Sequence, residues 1–404
     1  MMTKDKYNYL FYSILATLVV VLIFVSNTLS ISYKEALNVF VNTSILTYIT
    51  KVSIYIFGQN DIALRLPFLI FYILSVLLMY KITENYFRYE KDRFISILIF
   101  MFLPGVLSAS LLVNSAIIVT FFTLLYVYYY KTYNKHSYIL LGLYVLIDNS
   151  FAILYLAIFF FSLKKEDKKI VFFSLFLFAL SMYIYGFETN GKPRGYFLDT
   201  FAIYSTIFSP LVFIYFVYTL YRAGIKNNRD FSWYISTTAL LLSLLFSFRQ
   251  RIYIEDFAPY VIISIPFMLK SFYHSYRVRL KEFRRKHNIA MILTIFMLFL
   301  NVTLTIINKP LYLVLPNERK HFAYKHHFAK EIANELKKRN IYKVNSDNKN
   351  LLLRLKYYGI EKGDDYYLTQ QSLKKLHDSF SISYYGKELI KINIYKIWKS
   401  LFLY

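Results

Sequence analysis

Apolar runs long enough to cross a membrane recur from residue 8 to residue 308, and a chain built this way has few options. A hydrocarbon core accepts a helix only where about 20 successive residues are predominantly apolar. On that scale the sequence reads as about eleven segments. They lie near 8–29, 63–81, 93–111, 113–130, 137–148, 150–163, 170–187, 200–221, 231–248, 257–276 and 288–308. The fifth and sixth are short and read either as one re-entrant pair or as two tilted helices. The first has a long apolar core and no small-residue cleavage site, so it reads as an anchor rather than a cleaved signal peptide. Composition agrees: 57% of the 404 residues are hydrophobic and 18% charged, against about a quarter charged in soluble chains. Disorder is excluded, because such a chain would not stay solvated. With no cysteine, a disulfide framework and a thiol nucleophile are excluded as well.

Net charge is +24, from 48 Lys and Arg against 24 Asp and Glu. Such a balance suits nucleic acid, a membrane surface or an anionic substrate, and position selects among them. Basic residues concentrate in alternate short loops: Lys4 and Lys6, then Lys81 to Arg93, Lys131 and Lys135, Lys164 to Lys169, Arg222 to Arg229, and the run at 277–287. The intervening loops carry few. The positive-inside rule then puts the N-terminus in the cytoplasm and everything after Asn308 outside. No nucleic-acid groove is expected. The bias toward Ile, Lys, Asn, Tyr and Phe is that of an AT-rich bacterial genome. The expected location is the bacterial inner membrane, multi-pass, with a periplasmic C-terminal segment.

Residues 309–404 read differently. A helical pattern runs through 320–340, and another through 349–360 ends at Gly359 as a left-handed cap. Strand signals occur at 341–345, 365–369, 379–385 and 388–398, where apolar and polar residues alternate. The expected architecture is an all-α polytopic membrane domain over 1–308, with a small periplasmic α/β domain over 309–404. His321, His326 and His327 are read as surface histidines on a basic helix, since their spacing does not place them on one helical face. No metal and no cofactor are expected.

The first outer loop, 30–62, is too patterned to be a simple connection. Residues 32–40 and 44–57 have helical apolar spacing and are expected to lie flat at the interface. They present one carboxylate, Glu35, and Gly58, Asp61 and Arg65 lead into the second span. Asp148 sits between two apolar runs with almost no loop, and an ionisable group in that setting is a functional candidate. Basic residues at outer ends run against the topology rule, which singles out Arg65, Lys192, Arg194, Arg249 and Arg251.

The stretch YIFGQNDIALRLPFLIFYILSVLLMYKI (55–82) resembles the polyprenyl-phosphate-dependent glycosyltransferases of the C-type fold. That group includes protein O-mannosyltransferases and the transferases that add aminoarabinose to lipid A. RIYIEDFAPYVIISIPF (251–267) is similar to their basic-aromatic stretch before a late span. One position departs: Lys34 stands where the family has the first acid of an acidic pair, and Glu35 follows it.

The resemblance implies transfer of a sugar from a polyprenyl phosphate to a lipid, glycan or protein acceptor at the periplasmic face. A carboxylate takes the acceptor proton, and Glu35 and Asp148 are the candidates. Cations stabilise the departing phosphate. Arg65, Lys192, Arg194, Arg249, Arg251 and Tyr253 are the candidates for holding the donor. An already activated lipid-linked sugar needs no nucleotide, and the sequence has no Asp-x-Asp, Walker or GxGxxG motif. A lipid-linked saccharide transporter is the alternative from another class, though the apolar mid-span positions argue against it. A non-catalytic relative acting as a membrane scaffold is the third, kept open by Lys34.

Overall fold

The computed structural model describes residues 4–186, 195–227, 229–371 and 376–396. The chain divides into two compact units. One comprises residues up to Val20 and Phe68–Thr305; the other comprises Val21–Pro67 and the chain from Ile306 onward.

The first unit is helical throughout. Every expected apolar segment carries helix, but not every one is a straight rod. Among the described residues, four helical stretches are long and apolar enough to cross a membrane: Lys4–Thr28, Asp61–Ile82, Lys168–Tyr185 and Lys281–Ile306. Three bent pairs raise the number to seven if each is one crossing. The chain is therefore a multi-pass membrane protein. The 93–111 segment is the pair Glu90–Met101 and Pro104–Leu111, bent by 49°. The 200–221 segment folds back by 107° between Phe197–Phe208 and Pro210–Ile225. Ser209 makes that corner at φ 74°, with Pro210 starting the next helix where no amide donor is needed. Tyr138–Tyr144 and Phe151–Lys165 have 7 and 15 residues, and at about 1.5 Å per residue neither spans alone.

Breaks leave backbone carbonyls without their helical donors, and in an apolar medium each must find another. Serine hydroxyls supply them. Where the helix Ile254–Val261 tightens into the turn Ile262–Ser264, the Ser236 hydroxyl donates to the Tyr260 carbonyl at 2.8 Å. Ser264 donates in turn to the Ser232 carbonyl at 2.7 Å. These bonds join the broken helix to Phe231–Ser247. Close approach is the other device: a Cβ added at Gly105 would lie 3.1 Å from Cβ of Ile207, with other Ile207 atoms also in the way.

The second unit is α/β. β1 (Lys343–Ser346) runs parallel to β2 (Glu361–Thr369), joined through the helix Lys349–Tyr357. β3 (Asp378–Tyr384) and β4 (Lys387–Lys396) form a hairpin that adds to β2, giving the order β1-β2-β4-β3. Tyr385 and Gly386, both at positive φ, make the two-residue turn. The apolar face of Ala329–Lys338 packs on this sheet through Ile332, Ala333 and Leu336, against Val344, Leu368 and Ile394. Gly359, at φ +80°, ends Lys349–Tyr357 as the sequence pattern implies.

The helix expected over 320–340 starts only at Ala329. Upstream lie two short 3-10 turns, Glu318–Lys320 and Tyr324–His326. The reason is tertiary. His321 and His327 are buried rather than on the surface, with ring nitrogens of His321 and His327 against the Asn308 carbonyl and the Tyr312 hydroxyl at 2.9 and 2.8 Å. A continuous helix would swing them away. Among the described residues no cluster of His, Cys, Asp and Glu has the geometry to hold a metal ion.

The contact at Gly105 is testable. Gly105→Ala forces the stiff, β-branched Ile207 to shift and is expected to cost about 1–3 kcal/mol. Thermal unfolding in detergent should show a lowered midpoint, and adding Ile207→Ala should restore part of it. A midpoint unchanged by Gly105→Ala would mean that the two helices move apart freely.

Candidate active site

Glu35 lies in the second unit, in the helix Tyr33–Phe40. Ser32 caps that helix reciprocally: its hydroxyl accepts from the Glu35 amide, and the Glu35 carboxylate accepts from the Ser32 amide at 2.8 Å. Lys34 faces outward and Glu35 inward, so the acidic position of the loop is the second of the two. With the next helix, Ile45–Phe57, this segment bends by 84°.

Inside, Glu35 meets Arg65 at 3.5 Å and His326 at 3.3 Å. Burial works to raise the Glu35 pKa, but Arg65 and then His326 outweigh it and hold the carboxyl far below its usual range. Arg65 has no exposed surface. One of its terminal nitrogens donates to the carbonyls of Ser26, Leu29 and Asp61 at 3.0–3.3 Å, and the other to Ser30 at 3.2 Å. Arg65 therefore closes the C-terminal end of Lys4–Thr28, where helix carbonyls lack donors and a cation is favoured.

Asp61 extends the network. It pairs with Lys330 at 2.8 Å and accepts from the Tyr358 hydroxyl at 2.7 Å. The Ile31 amide donates to that same hydroxyl, and Arg354 donates to the carbonyls of Ile31 and His327, each at 2.7 Å. Gln59 donates to the Tyr357 carbonyl and Tyr357 to the Asn60 carbonyl. Sequence reasoning reached Glu35, Asp61 and Arg65 but missed His326, Lys330, Arg354 and Tyr358. These lie about 300 residues away along the chain, and no local pattern marks them.

A second polar cluster lies in the first unit. Asp148 sits in the break between Tyr138–Tyr144 and Phe151–Lys165, where it accepts from the Ser150 amide at 2.9 Å. Next to it opens a cavity of about 150 Å³. Its polar lining includes Asn149, Ser150, Gln250, Arg251, Tyr253 and Asp256. The cavity thus brings Arg251 and Tyr253 together with the Asp148 turn. Arg249 is exposed and does not line it. Lys192 and Arg194 lie outside the described residues.

Residues 43–185, about a third of the chain, match the family model described as dolichyl-phosphate-mannose-protein mannosyltransferase. No curated protein sequence matches the chain. Among solved structures, ArnT from Cupriavidus metallidurans bound to undecaprenyl phosphate superposes with a TM-score of 0.55 at 9% identity. The match covers 95% of this chain and 97% of that one. This is the glycosyltransferase C-type fold. The resemblance carried by residues 55–82 lies within the span that the family model matches, and the fold agrees with it.

The buried ion pair predicts an acid limb in stability. A carboxylate whose folded pKa is depressed contributes fully above its unfolded value, about 4.3, and loses that contribution as pH falls. Burial also pushes the His327 pKa down to about 3, so protonation opposes folding below about 6.5. Thermal midpoints should therefore fall in two stages on acidification. Glu35→Gln should flatten the lower stage and His327→Gln the upper. Arg65→Gln removes the cation shared by two buried carboxylates, at a cost of about 3–5 kcal/mol at neutral pH. Arg65→Gln of wild-type stability would show that the pair carries no weight.

Proposed function

We propose that the chain is a polyprenyl-phosphate-dependent glycosyltransferase that transfers a sugar from the lipid phosphate to an acceptor on the periplasmic side. The observation that carries this reading is the convergence of Arg251 and Tyr253 with the Asp148 turn around one cavity, within a C-type fold. The family resemblance of residues 43–185 and the undecaprenyl phosphate bound to the similar ArnT structure support the same donor class.

In this reading the acceptor hydroxyl gives its proton to a carboxylate as its oxygen bonds the anomeric carbon. The bond from that carbon to the phosphate oxygen breaks, and polyprenyl phosphate leaves with the bonding pair. Arg251 stabilises the charge gathering on the phosphate, and the Tyr253 hydroxyl is a further donor. Asp148 suits the base better than Glu35 does. Glu35 is buried, held by three partners and strongly biased to stay ionised, which makes it a poor proton acceptor. Its part is to hold Arg65 and the loop 26–35. Arg65 in turn is directed to four backbone carbonyls and two carboxylates, which argues for a positioning role over donor binding.

Transfer from a polyprenyl-phosphate sugar by the purified protein tests the reading. Asp148→Asn should lower turnover about 100- to 10,000-fold with donor still bound. Arg251→Ala should weaken donor binding by roughly 1.5–3 kcal/mol, with incomplete rescue by Lys if the contact is bidentate. Undiminished activity in both variants would refute these roles. Bound donor without transfer to any acceptor would point to the scaffold alternative.

The orientation is part of the proposal. The basic loops place the N-terminus in the cytoplasm and the chain after Asn308 in the periplasm of the inner membrane. A periplasm-active reporter fused after Asn308 should be active, and one fused after Arg285 inactive. The reverse pattern would put Asp148 and Arg251 on the wrong face.

A further inference from the structure

The helices that carry Arg251 and Tyr253 at one end border a different cavity at the other. It measures about 620 Å³ and lies among the 83–89 loop, the start of Glu90–Met101 and the last turns of Ile265–Val278. All of these belong to the multi-helical unit. Arg88, Lys270 and Arg277 line it, and Lys131 reaches its Tyr86 wall from the end of Ala116–Tyr133.

The two carboxylates of the cavity are already occupied. Asp92, buried, is ion-paired with Arg277. Asp230 accepts from the Tyr86 hydroxyl at 3.1 Å through one oxygen and from the Trp233 amide at 2.8 Å through the other. Lys131 and Lys270 both sit on the Tyr86 ring, 4.3 and 4.2 Å from its centre. Neither is ion-paired among the described residues. Asp230 offsets part of the charge on Lys131, but two ammonium groups on one ring repel each other, and an anion that bridges them removes that cost. Basic residues that merely set topology stay dispersed in solvated loops; they do not need to converge on the wall of a cavity.

We propose that this cavity binds an anionic phosphate ester, with Lys131, Lys270 and Arg88 as its cationic holders. A phosphate ester presents its terminal oxygens in a tetrahedral array, so separate donors can reach it from different directions, whereas the two oxygens of a carboxylate lie in one plane. Ser271 and His274, also in the lining, are further donors. Such an ester has two sources. One is the headgroup of an anionic phospholipid in the leaflet that faces the basic loops. The other is a soluble phosphate ester.

Native mass spectrometry of the full-length protein in detergent tests this with phosphatidylglycerol, phosphatidylcholine and glycerol 3-phosphate as probes. The wild type should retain phosphatidylglycerol in preference to phosphatidylcholine, or bind glycerol 3-phosphate. The double variant Lys131→Gln/Lys270→Gln should weaken binding of that probe by about tenfold or more for each charge removed. Lys131→Arg/Lys270→Arg should stay within about threefold of wild type, since charge and hydrogen bonding remain. Because Lys270 is exposed, Lys270→Gln alone should fold normally and show about half the effect on the logarithmic scale. Displacement of bound phosphatidylglycerol by glycerol 3-phosphate would identify the soluble ester, and resistance to displacement the lipid. The proposal is overturned if neither anionic probe binds, if phosphatidylcholine binds as tightly as phosphatidylglycerol, or if the Gln variants bind like wild type.

Discussion

A guanidinium with no access to water governs the geometry of the segment between Lys4–Thr28 and Asp61–Ile82. Arg65 is buried in a setting where an unpaired cation would be expelled or would unfold its surroundings. It is kept there by Glu35, Asp61 and the carbonyls of residues 26, 29, 30 and 61. Each partner is fixed by something else. The Ser32 capping box orients Glu35, while Lys330 and Tyr358 hold Asp61. The place where the first helix stops and the second starts is thus set by one side chain. An apolar residue at position 65 would leave the end of Lys4–Thr28 without these donors and remove the cation that Glu35 and Asp61 share.

The same rule operates at the breaks in the helices. Pro67 lies within Asp61–Ile82 and cannot donate to the carbonyl four residues earlier. That carbonyl, of Ala63, accepts instead from the Ser53 hydroxyl at 2.6 Å. Ser53 belongs to the interfacial helix Ile45–Phe57, so a proline that looks like a defect ties two elements together. Ser236 and Ser264 do likewise at the late broken helix. Irregular backbone survives at membrane depth only where such donors are built in, and here they are mostly small hydroxyl side chains.

Much of this was legible from the residues. Apolar run length marks membrane helices directly, and the alternation in β3 and in part of β4 marks a half-buried sheet. The pattern through Asp61, Arg65 and Pro67 led to the C-type fold. Three things were not legible. The corner at Ser209 turns on a single residue at positive φ, followed by Pro210, within a segment long enough to read as one span. The buried histidines 321 and 327 depend on Asn308 and Tyr312, which no helical periodicity reveals. Which of Lys34 and Glu35 turns inward depends on where the helix starts, and only the Ser32 cap settles that.

The substitution at position 34 has a physical consequence that bears on the chemistry. In a helix, adjacent residues point about 100° apart, so an acidic pair has one member that turns inward to a cation and one that faces out. In this chain the inward member is Glu35, and the outward member is Lys34. The inward position is structural because it supplies a counter-charge to Arg65. The outward position is exposed, so a change of charge there costs less than one at Glu35. A transferase with a base in that outward place would need its acceptor proton taken elsewhere, or an acceptor with no proton to give. In the proposed reaction Asp148 would answer the first need: it lies at a polar helix break, with one oxygen on the Ser150 amide, beside the cavity that Arg251 and Tyr253 line. A phosphate acceptor would answer the second, because its oxygen already carries the charge that a base would otherwise have to generate.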